Sequence, residues 1–234
     1  MKPLIAAMAL LLLGGCASNG QTPWASFTSP GSCAKPSSEQ DLALNLADDM
    51  ANEDKLHASL ANLQSLPDTL PQVRQRKARA YRLLGRSEAE PLYRSLIGTC
   101  MAAEGEHGLG QLAVARGDNA QALVHLQNAA RLAPTDEKIR NDLGVVYLNQ
   151  SRLEEARFEF LTAIELKQSD PLAAVNLVTL LIYQDDWGQA AKVVSQLGLS
   201  PAQVTEAQAR AAKLKRSPAR KVAAVADALP VTIK

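Results

Sequence analysis

A 34-residue period constrains this chain more than any other feature. Leu109-Gly110 recurs as Leu143-Gly144, and the same offset carries Ala122 to Ala156, Leu126 to Phe160 and Ala129 to Ala163. One further step reaches Leu177, Ala190, Val194 and Leu197. Self-similarity at a fixed period of this length is the signature of a repeat array. The composition agrees: Ala and Leu, the best helix formers, recur throughout, and only nine residues are aromatic. The small residues of each unit let two helices approach closely. The bulkier Leu126 and Phe160 are expected to fill the gap to the following unit. Each unit leaves an apolar face that only a neighbour can cover, so the units must stack.

The pattern resembles the tetratricopeptide repeat (TPR), which asks for Leu-Gly and a Tyr-like residue in its first helix, then for Ala, an aromatic and a second Ala in its second. Unit 137–170 fits best, through Leu143, Gly144, Tyr147, Ala156, Phe160 and Ala163. Unit 103–136 has Leu109, Gly110, Ala122, Leu126, Ala129 and Pro134, and unit 171–204 keeps the apolar positions but has Val178 where the others have Gly. Two degenerate units precede them. In 37–70 the core positions hold Ala43, Leu44, Ala47, Leu56, Leu60 and Leu63; unit 71–102 matches at Ala78 and Tyr81 and is trimmed at turns around Gly85 and Gly98. The resemblance implies an all-α TPR helix-turn-helix solenoid of three clear repeats, five with the degenerate pair. Ser200-Pro201 read as N-cap and first position of a capping helix over 201–215. A basic, disordered tail is predicted over 216–234.

At the N-terminus, Lys2 precedes ten apolar residues, 4–13, too few to span a bilayer and suited to a signal peptide. Leu13-Gly14-Gly15-Cys16 resembles the bacterial lipobox, in which a small pair admits the peptidase and the Cys16 thiol takes a thioether-linked diacylglycerol. Residues 1–15 are therefore expected to be removed and Cys16 lipidated; a secretory signal with an incidental Cys is the other reading. Ala17 rather than Asp follows, which by similarity to such lipoproteins implies the outer membrane, with the chain facing the periplasm. Two acyl chains suffice for stable anchoring, each buried methylene contributing ~0.8 kcal/mol. Residues 16–36 read as a flexible tether rich in Ser, Pro and Gly, within which Trp24 and Phe27 could dock on the domain or lie at the lipid interface. With Cys16 acylated, Cys33 and Cys100 remain. There is no CxxC and no Cys/His cluster, so no metal site is expected. In an oxidising periplasm the pair is expected to form a disulfide rather than persist as two thiols, because both cysteines fall on one edge of the solenoid.

The net charge of +1 excludes a chain-wide nucleic-acid footprint, and the charge is unevenly placed. From Val204 onward seven Lys or Arg face only Glu206 and Asp227, while residues 16–203 carry 17 Lys and Arg against 22 Asp and Glu. No nucleotide loop, HExxH, GxSxG or paired-carboxylate motif occurs. Gly108-x-Gly110 lacks a third glycine, and His57, His107 and His125 fall at unmatched positions of different repeats. No catalytic residue, cofactor, metal, nucleic acid or small-molecule substrate is expected, and the chain reads as a binding protein rather than an enzyme.

In TPR arrays the first helix of each repeat lines the concave face. The resemblance therefore places a partner-binding groove on His107, Gln111 and Val114 of unit 103–136, on Asn141, Val145 and Leu148 of unit 137–170, and on Leu172, Val175, Thr179, Ile182 and Tyr183 of unit 171–204. Glu104 and Lys138 share that register. A carboxylate clamp of the chaperone-binding kind is excluded, because His107 and Gln111 stand where Lys and Asn are required. The apolar residues are expected to take an amphipathic helix of a partner; in the competing reading the helix 201–215 covers them. The lipobox with Arg140-Asn141-Asp142-Leu143-Gly144-Val145-Val146-Tyr147 and Asn176-Leu177 resembles the TadD-like TPR lipoproteins of the tight-adherence (Tad) Flp-pilus system. That resemblance implies a pilotin that helps a secretin reach or form its outer-membrane ring. The alternatives are a type IV pilus pilotin and a scaffold lipoprotein for other envelope biogenesis.

Overall fold

The structure, a computed structural model, describes residues 33–216. The expected signal peptide, Cys16, Trp24, Phe27 and residues 217–234 lie outside the described residues. Among the described residues the chain forms eleven α-helices and no strand. Ten of them pair as α1 (Ser38–Asn52) with α2 (Leu56–Leu63), α3 (Pro71–Leu83) with α4 (Ala89–Arg94), α5 (Ala102–Ala115) with α6 (Asn119–Leu132), α7 (Glu137–Asn149) with α8 (Leu153–Leu166), and α9 (Pro171–Tyr183) with α10 (Trp187–Leu197). The last, α11, runs Pro201–Arg216. Successive pairs pack on one another, the second helix of each against the first helix of the next, which is the all-helical TPR solenoid the repeat pattern implies.

The turns repeat as strictly as the helices. Gly117, Ser151 and Asp185 all end a first helix at positive φ (77°, 59° and 63°) and are spaced by the repeat length. Gly85 at 68° occupies the same place in the shorter second unit. Only Gly takes this conformation without steric cost, so Ser151 and Asp185 hold it because the packing of the flanking helices imposes it. Aspartates cap the following helices: Asp118, Asp136, Asp170 and Asp186 each accept backbone N–H bonds with their side chains. Ser37 and Gln40 form a reciprocal capping box at the start of α1.

The bulky residues also fill a space within their own repeats, which the sequence did not indicate. Phe160, fully buried, lies over Gly144 of its own repeat, where an added Cβ would stand 2.6 Å from the ring; Leu126 lies over Gly110 in the same way, at 2.7 Å. The small residue of the first helix is a socket for the large residue of the second. In repeat 171–204 Val178 stands in the place of the glycine and Val194 in that of the ring, Val178 buried in the large core cluster and Val194 packed against it. Between repeats the socket is Gly108, where a Cβ would meet the Tyr93 ring at 2.1 Å. That contact explains a second glycine only two residues from Gly110.

The core is uneven. One large cluster runs from Ala113 through α6–α10 to Ala211, while the N-terminal end holds two small clusters, Leu44, Ala47, Leu63 and Val73, then Ala78, Ala89, Tyr93 and Leu96 with Leu109 of α5. A disulfide joins Cys33, just before α1, to Cys100, just before α5, with the Cα atoms 5.1 Å apart. It ties down the poorly cored end.

Candidate functional site

The first helices of the repeats share one face, and three adjoining cavities run along it. The one nearest the N-terminus, about 310 Å³, is lined by Arg79, Arg82, Glu104, His107, Gln111 and Lys138 among others. The next, about 200 Å³, shares Arg82 and Gln111 and adds Val114, Asp142 and Val145. The third, about 390 Å³, shares Val145 and continues over Leu148, Asn149, Thr179 and Tyr183 to Arg210, Lys213 and Leu214 of α11. The shared residues make these one continuous groove.

Seven of the eleven expected groove residues line it: His107, Gln111, Val114, Val145, Leu148, Thr179 and Tyr183. The other four need correction. Val175 and Ile182 are 3% and 5% exposed and border none of the three cavities. Asn141 is buried, and it and the exposed Leu172 border a separate narrow crevice, which meets the groove only at Lys138. The cause is α11. It packs along α9 rather than on α10, so it covers the C-terminal third of the face instead of extending the stack. Eleven of the thirteen residues of α9 are buried, and a helix apolar on all sides must be enclosed on all sides. Ala207 and Ala211, both fully buried, allow α11 to approach α9 closely.

A polar ladder crosses the floor of the groove, and nothing in the sequence marked it as a unit. His107 Nε2 lies 2.7 Å from Asp142 Oδ2, to which Gln111 Nε2 also donates at 2.7 Å. Asn141 Nδ2 donates to the other Asp142 oxygen, Asn176 Nδ2 donates to Asn141 Oδ1, and Arg210 Nη1 donates to Asn176 Oδ1. Four helices of the groove face, α5, α7, α9 and α11, are thus linked side chain to side chain. His107 and Gln111, which the sequence offered to a partner, are turned on Asp142. The repeat-like spacing of Asn141, Asn176 and Arg210 was the available signal.

Burial by itself would raise the Asp142 pKa. The hydrogen bond and charge of His107, with the Gln111 and Asn141 bonds, outweigh it and hold the carboxyl below its ordinary value. A carboxyl depressed by folding contributes stability that is present above its unfolded pKa and is lost as pH falls through the folded one. Asp142→Ala should therefore cost about 2 kcal/mol near neutral pH, because three donors lose a buried acceptor. It should also flatten the decline in melting temperature on the acid side of the ordinary carboxylate range. A variant whose acid profile matches the parent would show that the ladder contributes nothing. Glu159 goes the other way: burial raises its pKa, against the opposing hydrogen bond and charge of Arg140 at 3.1 Å.

Among the described residues no group of three or more His, Cys, Asp or Glu is placed to hold a metal ion, and no helix is long and apolar enough to cross a membrane.

Residues 113–175 match the tetratricopeptide repeat family TPR_19. The chain is 42% identical over 213 residues to the TPR repeat-containing protein PA4299 of Pseudomonas aeruginosa, covering 90% of this chain and 85% of that one. Among solved structures it is similar to TTC0263, a thermophilic TPR protein of Thermus thermophilus, with a TM-score of 0.57 and 18% identity over 75% of this chain and 98% of the other. It is also similar to Pseudomonas aeruginosa pilF, with a TM-score of 0.59 and 18% identity over 79% of this chain and 87% of that one. At these identities the two structures show the shared solenoid fold.

Proposed function

The chain belongs to the family of tetratricopeptide-repeat proteins that includes PA4299, and on that premise we propose that it is an outer-membrane-anchored, periplasm-facing lipoprotein that binds a segment of a pilus-machine protein in its groove, as a pilotin for the secretin of a Tad/Flp system. It mediates protein–protein interaction, as TPR proteins generally do, and carries no catalytic constellation among its described residues. The observation that carries the binding reading is the continuous groove, whose third cavity combines apolar Val145, Leu148, Tyr183 and Leu214 with polar groups at its rim. Pockets of this size and lining suit peptide side chains. The membrane part of the reading is supported by Leu13-Gly14-Gly15-Cys16. The likeness to pilF extends to the fold and is compatible with a pilus role; it also keeps a type IV pilus pilotin as the second reading.

Cys16→Ser should release the protein from outer-membrane fractions into the soluble periplasm and lower the amount of secretin multimer in that membrane. Retention of the variant in the membrane would count against the anchor. An unchanged Tad secretin with a depleted type IV secretin would move the assignment to the second reading.

A further inference from the structure

The groove opposes the charge of the body that carries it. Residues 33–216 hold 21 Lys and Arg against 23 Asp and Glu, yet the groove presents Arg79, Arg82, Lys138, Arg210 and Lys213 against only Glu104 and Asp142. Several of these charges are already engaged. Arg79 donates to Asn52 and lies 3.8 Å from Asp48, Arg210 is held by Asn176 and Glu206, and Asp142 belongs to the ladder. Arg82 reaches only the Tyr93 hydroxyl, at 3.4 Å, and among the described residues no carboxylate lies within salt-bridge distance of Arg82, Lys138 or Lys213. Lys138 feels its chain neighbour Glu137 at longer range, and that carboxylate is itself bonded to Lys167. Three cations without a salt bridge therefore face the groove against one such acid, Glu104. Their placement matters: Arg82 and Lys138 line the cavity nearest the N-terminus, while Lys213 lines the third cavity together with Val145, Leu148, Tyr183 and Leu214.

We propose that the groove selects a partner segment in which an apolar anchor is flanked on both sides by acidic residues, the anchor entering the 390 Å³ cavity and the carboxylates meeting Arg82 and Lys138 at one end and Lys213 at the other. The inference rests on the groove being the binding surface, as proposed above, and adds the chemistry of the ligand. Cations outside any intramolecular salt bridge lose no ion pair when a carboxylate arrives. Complementary charge at the two ends also fixes the direction and register of a bound segment. The chain's own residues 217–234 fit poorly as the occupant, since Arg220, Lys221 and Lys234 outnumber Asp227 there.

The test uses the full mature chain and three short fluorescent peptides that share a Leu-Phe core, flanked by Asp/Glu, by Ser/Gly or by Lys/Arg. In low salt the acidic-flanked peptide should bind at least about fivefold tighter than the neutral one, and the margin should shrink as salt screens the flanking charges. Arg82→Glu and Lys213→Glu should each weaken the acidic-flanked peptide by about fivefold or more at unchanged melting temperature, and the double variant should prefer the basic-flanked peptide. Equal binding of neutral and acidic peptides, abolished by Val145→Glu, would overturn the charge rule while leaving the groove reading intact. Binding of none of the three overturns both. Preference of the parent for basic flanks would make the chain's own tail the better occupant and overturn the proposal.

Discussion

Phe160→Ala should lower the stability of the array by about 4 kcal/mol, the middle of the range for removing a buried aromatic side chain. The ring is fully buried and sits over Gly144, which has no side chain to swing into the space. The cavity therefore cannot close unless α7 and α8 move together, and both are held by their neighbours α6 and α9. For a chain of this size the melting temperature should fall by on the order of 10 °C. The companion variants separate packing from simple loss of hydrophobicity. Gly144→Val alone should destabilise by roughly 1–3 kcal/mol, because its Cβ would meet the ring. Combined with Phe160→Val it should recover much of the loss, giving the residues that stand at these positions in the next repeat, Val178 and Val194. Additive losses in the double variant would show that ring and glycine do not act as a pair.

Removing the Cys33–Cys100 disulfide should cost a similar amount, concentrated in one part of the molecule. On the chain-entropy account, a bridge with a sequence separation of 67 stabilises by about 4 kcal/mol. A repeat array is stabilised locally, each unit by itself and its neighbours. The first two units have only the two small clusters around Leu44 and Tyr93, so they depend on the bridge more than the rest does. In the Cys33→Ser, Cys100→Ser variant, amide hydrogen exchange should accelerate through α1–α4, while α7–α9, inside the large cluster, keep their protection. Reductant added to the parent should give the same map. Uniform acceleration along the chain, or none, would show that the bridge does not hold this end.

The 34-residue period, read from the sequence, determined the helix pairs, their order and the all-helical solenoid, because each depends on residues close together in the chain. The small and large positions were also legible there; their pairing was not. That Phe160 lies over Gly144 of its own repeat depends on how two helices dock, with Gly144 leaving room for the ring. The groove was legible in part. The register of the first helices put Val145, Leu148 and Tyr183 on one face, where they line the third cavity. It left open whether the helix 201–215 covers these residues, as it does Val175 and Ile182, and did not show that His107 and Gln111 would be taken up by Asp142. Side-chain periodicity is a property of the local chain, whereas the occupant of a face is set by which distant element gains most by covering it. For the predominantly apolar α9 that element is α11, and only the assembled structure brings the two together.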